Sequence, residues 1–99
     1  MSTFGSESWF GDESTGVVAV TGAEWLRNTH IIACFQDGSI LKKSLADPTQ
    51  KAVLLHKENY NPIRDLILVS FNIIFALESG HVKSVPLFGE EVAEAVSIG

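Results

Sequence analysis

The sequence predicts an all-β chain, and three observations predict it. From Gly16 onward the apolar residues come in short runs rich in Val, Ile and Phe. Gly, Asp, Asn and Pro separate those runs, which is the punctuation of strands and turns. Seven such runs in 99 residues make the chain all-β. In order, the runs predict strands over 17–25, 30–36, 39–44, 52–56, 63–69, 73–78 and 81–87. The segment from Glu90 to Ile98 is compatible with either element, because its Ala and Glu content favours a helix while the spacing of Val92 and Val96 suits a terminal strand; a strand is the preferred assignment. Gln36-Asp37-Gly38-Ser39 predicts a tight two-residue hairpin turn, since Asp and Gly tolerate positive φ, and Glu78-Ser79-Gly80-His81 does the same later. Asp47-Pro48-Thr49 is a looser turn. Asn61-Pro62 closes a loop, where the fixed φ of proline starts an extended segment.

The two hairpins are copies of one unit. Gly38 and Gly80 stand 42 positions apart, and at that offset Ile31-Ile32 meets Ile73-Ile74, Phe35 meets Leu77, Ile40 meets Val82, Lys42 meets Ser84 and Leu45 meets Leu87. Upstream the correspondence continues with one residue of slippage: Val20, Ala23 and Trp25 match Ile63, Leu66 and Leu68. A period near 40 residues with four strands per unit is the pattern of a β-propeller blade. The stretches Ile31–Phe35 and Ile73–Leu77 are also apolar on both parities, so both faces of their sheets require cover. A blade sandwiched between neighbouring blades meets that requirement. About four to eight blades close a ring, and this chain holds two, so an apolar face is left for something else to cover.

On these residues the chain resembles the WD40 repeat family. Val20-Thr21-Gly22-Ala23-Glu24-Trp25 followed by Ile31–Ile40 is similar to the first three strands of one repeat, Ala52-Val53-Leu54-Leu55 to its outer strand, and Pro62–Leu68 with Gly80–Leu87 to the next repeat. The likeness covers residues 17 to 88 in degenerate form: Lys43-Ser44 and Val85-Pro86 stand where the family carries Trp-Asp, and Glu58-Asn59 where it carries Gly-His. Asp37 keeps the turn aspartate, and Ser79 replaces it in the second copy. The resemblance implies two four-stranded antiparallel blades of an incomplete propeller, about 17–56 and 57–99, preceded by an acidic and aromatic arm over 1–16. It further implies a non-enzymatic scaffold that binds other protein chains.

Composition narrows the functional classes. Ninety-nine residues of 45% hydrophobic and 19% charged content fold as one domain. Twelve acidic residues against seven basic ones give a net charge of -5, which opposes nucleic acid and anionic membranes. The apolar runs, such as Leu66–Val69, are too short to span a bilayer, and Met1–Gly5 does not open a secretory leader. With Cys34 alone there is no internal disulfide, so the expectation is an intracellular chain, cytoplasmic or nuclear.

The sequence yields no catalytic, cofactor-binding or metal-ligating candidates. Cys34 lies in the apolar run Ala33-Cys34-Phe35 and reads as a small buried hydrophobe. His30, His56 and His81 are 26 and 25 residues apart, without ligand spacing, and read as strand-edge or turn residues. Asp12-Glu13 and Glu90-Glu91 are solvated acidic pairs, and no phosphate-cradling loop or nucleophile elbow occurs. Trp25 occupies an inward strand position and is expected in the core. Trp9 and Phe10, set in a polar arm, and Tyr60, between Asn59 and Asn61, are the candidate partner contacts; the alternative for the first two is a fold-back onto the chain. The expected partners are protein chains that complete the propeller or cover its open faces. The competing expectation is a small self-contained β-sandwich or barrel that binds a peptide or ligand along an edge strand.

Overall fold

The computed structural model describes residues 19–47, 49–59, 61–88, 92 and 94–98. Every regular element among them is a strand: β1 (Val20–Leu26), β2 (His30–Phe35), β3 (Ser39–Ser44), β4 (Val53–Lys57), β5 (Ile63–Val69), β6 (Asn72–Leu77), β7 (Val82–Pro86) and β8 (Val96–Ser97). The ambiguous C-terminal segment thus supplies a short strand, as preferred from its spacing. Two antiparallel meanders result, sheet I in the order β1-β2-β3-β4 and sheet II in the order β5-β6-β7-β8, and neither closes into a barrel. The arrangement is compatible with two propeller-type blades.

The repeat seen in the sequence is a repeat in hydrogen-bond register. Ala33 pairs with Ala23 and Leu41 in sheet I, and its counterpart Phe75 pairs with Leu66 and Lys83 in sheet II. Each inner strand carries an irregularity at the same place, between Val20 and Gly22 in β1 and between Ile63 and Asp65 in β5. The one-residue slippage has a definite location. Leu26 pairs with His30 across three turn residues, whereas Val69 pairs with Asn72 across two. Both turns open on a residue with φ of 55°, Arg27 in the first and Ser70 in the second.

The β2–β3 turn differs from the two-residue hairpin that its Asp-Gly pair predicts. The Gly38 amide donates to the Phe35 carbonyl at 3.0 Å, and Gly38 alone takes positive φ, at 93°. This is a three-residue loop, a turn followed by a left-handed glycine. Asp37 serves it differently: its Oδ1 accepts from the Ser39 amide at 3.0 Å and the Ser39 hydroxyl at 2.6 Å. The copy repeats the backbone, with the Gly80 amide donating to Leu77 at 2.9 Å and Gly80 at φ 99°.

The main core lies between the sheets. Ile32, Cys34, Ile40 and Leu55 of sheet I meet Ile63, Leu66, Ile73, Phe75, Leu77, Val85 and Leu87 of sheet II. A second cluster, Ile31, Ala33 and Phe35, occupies the other side of sheet I. Trp25 corrects the sequence expectation, for it is 62% exposed rather than core. It pairs with Ile31 and so belongs to the side of sheet I turned away from sheet II, near the end of β1. Its counterpart Leu68 packs against the main core, because sheet I covers that side of sheet II.

The two turn glycines make a paired prediction. A Cβ on Gly80 meets nothing, so Gly80→Ala carries only the positive-φ strain, about 1–2 kcal/mol. A Cβ on Gly38 collides with the Glu58 carbonyl, so Gly38→Ala adds a backbone clash and costs about twice as much. Urea unfolding of both variants checks the ranking, and equal losses would refute the assigned packing at Gly38.

Candidate functional site

Each sheet has two unlike faces, and the register says which is which. The front of sheet I carries Ile32, Cys34 and Ile40, and the back carries Ile31, Ala33 and Phe35. The corresponding front of sheet II carries Ile74, Ala76 and Val82, and its back Ile73, Phe75 and Leu77. In the core the front of sheet I lies on the back of sheet II. The sheets are therefore stacked in the same sense, front on back. Ile32, Cys34, Ile40 and Leu55 are buried at this junction, while the positions that repeat them in sheet II, Ile74, Ala76, Val82 and Ile98, are half-buried or exposed.

The front of sheet II is the candidate site. Ile67 is 51% exposed, Val69 47% and Val96 65%, and they share this face with Ile74, Ala76 and Val82. Asp65, Ile67, Ile74, Ala76 and Val82 help to line a shallow depression of about 190 Å³. Strands β5, β6 and β7, of seven, six and five residues at about 3.3 Å each and about 4.8 Å apart, outline with the two-residue β8 a face on the order of 300 Å². A patch of about 300 Å² lies in the range of the largest apolar patch on an ordinary monomer, which is often functional.

The existing junction shows what a stacked sheet meets here. The inner strands approach so closely that a Cβ on Gly22 of β1 would come within 2.7 Å of Asp65 Oδ1 and 3.3 Å of the Asp65 Cα. Farther out, a polar clamp crosses the junction. Glu58, which follows β4, accepts from Lys83 Nζ of β7 at 3.1 and 3.2 Å and contacts His56 Nε2 at 2.7 Å. His56 is buried on the outer strand, with its ring 5.3 Å from that of Phe75. Burial raises the Glu58 pKa, but the hydrogen bonds from His56 and Lys83 outweigh it and hold the carboxyl below its usual range. At the rim, Phe71 and Phe88 pack at 6.0 Å, with Lys42 Nζ 5.8 Å from the Phe88 ring. A wider polar depression of about 520 Å³, lined by Gln36, Asp37, Lys57, Asn59 and Pro62, lies at the β2–β3 turn. Its Asp37–Lys57 pair, 3.2 Å apart, neutralises itself.

The sequence-predicted contacts Trp9, Phe10 and Tyr60 all lie outside the described residues, as do Asp12-Glu13 and Glu90-Glu91. His30 opens β2 and His81 sits between β6 and β7, the turn and strand-edge places expected. Cys34 is fully buried, and burial pushes its thiol up to about 11. Among the described residues no group of three His, Cys, Asp or Glu side chains converges as a metal site. The Glu58, His56 and Lys83 set escapes sequence reasoning because its members are up to 27 residues apart and follow no spacing rule. The exposed front of sheet II was foreseen in kind, from the parity of Ile73–Leu77, without its residues.

Comparison with family models, with curated proteins and with solved structures gives no match.

Two outcomes follow from this geometry. A carboxyl whose pKa is lowered on folding contributes stability above its unfolded value, near about 4.3 for Glu, and loses that contribution as pH falls through the folded value. Glu58→Gln should therefore cost about 1–2 kcal/mol near neutrality, and the gap from the parent chain should shrink in acid; urea titrations at neutral and acidic pH measure it, and a pH-independent gap refutes the clamp. With a thiol pKa near 11, Cys34 is thiolate to about one part in ten thousand at pH 7. Its reaction with an aromatic disulfide reagent should be slow in the native chain and fast in denaturant; rapid native labelling would contradict its burial.

Proposed function

We propose that the chain is a non-enzymatic interaction module, a two-blade portion of a WD40-like β-propeller that serves as a scaffold within a larger protein assembly. The observation that carries this is the front-on-back packing of two sheets with one register. A stack of this kind has no internal stop, because the face that sheet I buries is presented again by sheet II. Further sheets with a back like that of sheet II, supplied by a partner chain or by additional chain, fit against Ile67, Ile74, Ala76 and Val82.

The chemistry of that surface matches the role. It is apolar, lies on regular strands rather than loops, and is bounded by a single carboxylate, Asp65. Among the described residues no nucleophile, base and oxyanion-stabilising set gathers on it. A partner sheet would bring apolar side chains to the centre and a small residue or a hydrogen-bond donor beside Asp65.

Ile67→Lys and Val69→Lys test it. Both positions are about half exposed, so the double variant should unfold within about 1 kcal/mol of the parent chain. The parent should associate or bind a hydrophobic dye in a concentration-dependent way, and the variant should sediment as a monomer without binding dye. A parent chain that is monomeric and dye-silent at all concentrations would remove the proposal. So would a copurifying partner retained equally by both chains.

A further inference from the structure

The positions that the register assigns to the front of sheet II hold a single charge among them, Asp65 on the inner strand β5. Asp65 is exposed, and with Ile67, Ile74, Ala76 and Val82 it borders the depression of about 190 Å³. Its Oδ1 accepts from the Leu66 amide at 2.8 Å, and among the described residues no Lys, Arg or His lies within ion-pair distance of it. Arg64, next to it in the chain, falls in the irregularity of β5 and is exposed as well. The junction between the two sheets shows what this position meets when a sheet is stacked on it. Gly22 holds the position in sheet I, and a Cβ there would come within 2.7 Å of Asp65 Oδ1, so the inner strands of stacked sheets touch at this height. A sheet laid on the front of sheet II therefore closes over the Asp65 carboxylate. Covering a carboxylate without a counter-charge is costly, because neutral contacts replace only part of its hydration.

We infer that the sheet which stacks on the front of sheet II belongs to a partner of different sequence and carries an arginine on or beside its inner strand, with the stem in the depression along Ile67, Ile74 and Val82 and the guanidinium on Asp65. This partner presupposes the stacking role proposed above, to which Asp65 adds a requirement of charge. The face is apolar up to its one carboxylate, which suits a side chain with an apolar stem and a cationic tip. A guanidinium is less strongly hydrated than an ammonium and presents a planar fork to a carboxylate, so it loses less on entering such a setting. The net charge of -5 adds a long-range attraction to basic surfaces. A second copy of the chain does not supply the match. Its inner strand β1 carries Glu24 and no Lys or Arg. Ile31, Ala33 and Phe35 on the back of its sheet I are already buried in the single chain, and the back of its sheet II is taken up in the junction.

The test titrates the full chain with naphthylmethylguanidinium, with naphthylmethylammonium and with the neutral naphthylmethanol, following the methyl resonances of Ile67, Ile74 and Val82. The guanidinium should bind about three- to fivefold tighter than the alcohol, as a partly exposed ion pair allows, and tighter than the ammonium. Asp65→Asn, which keeps an acceptor for the Leu66 amide, should bring the three probes to parity, and Ile67→Lys with Val69→Lys should abolish binding of all three. Equal binding of the probes to the parent chain, or a preference that survives Asp65→Asn, overturns the arginine and leaves the stacking face standing. An ammonium that matches the guanidinium overturns it in favour of lysine. If no probe moves these methyls, the stacking face and the arginine fall together. Should Asp65→Asn not fold, salt decides in the parent chain: at about 1 M, where charges are screened beyond about 3 Å, the preference should vanish, and a preference that persists overturns the assignment.

Discussion

The structure depends on the inequality of the two faces of a repeated sheet. Had like faces met, as in a sandwich related by a two-fold axis, both would be satisfied at one junction and the chain would be finished. Front meets back instead, so one junction consumes one face of each kind and leaves the other kind over. Every other feature is a response to that remainder. The apolar content of β2 on both parities is needed because both of its faces are buried. In β6 the same composition is buried on one parity, at Ile73, Phe75 and Leu77, and half-buried on the other.

The junction itself is specified at three depths. At the inner strands Gly22 lets β1 lie against the Asp65 backbone, a contact that any larger side chain would push apart. In the middle, branched and aromatic side chains interlock, with Phe75 the largest fully buried one. At the outer edge Glu58 ties His56 of sheet I to Lys83 of sheet II. Apolar contact alone tolerates sliding of one sheet over another, whereas a bidentate carboxylate–ammonium contact fixes one offset. Gly38 belongs to the same device: its carbonyl accepts from the Glu58 amide at 2.7 Å, so the turn after β2 positions the residue that closes the clamp.

The fold was legible in the sequence wherever local chemistry decides it. The 42-residue offset, the slippage upstream of it and the two turn glycines all reappear in the register, because strand pairing in a hairpin is set by turn length and by the alternation of apolar residues. Turn type was less legible, since Asp37 had two possible uses and the contact with Ser39 selected the one that leaves positive φ to Gly38 alone. Trp25 was misjudged for a related reason: parity assigns a residue to a face, but whether that face is covered at that height depends on the next layer. The clamp was not legible at all. Glu58 and Lys83 meet only because one sheet lies on the other, and neither residue carries a local sign of its partner.

An open-ended stack in a short chain has to be managed at both ends, because two bare faces would promote indefinite head-to-tail growth. The two ends of this chain differ in kind. Ile31, Ala33 and Phe35 on the back of sheet I are buried, whereas Ile67, Val69 and Val96 on the front of sheet II are between 47% and 65% exposed. The asymmetry gives the module a direction. Its open surface is a face on regular strands, where Asp65 stands at the position that Gly22 holds in sheet I, so a sheet added there meets a carboxylate in place of a bare backbone.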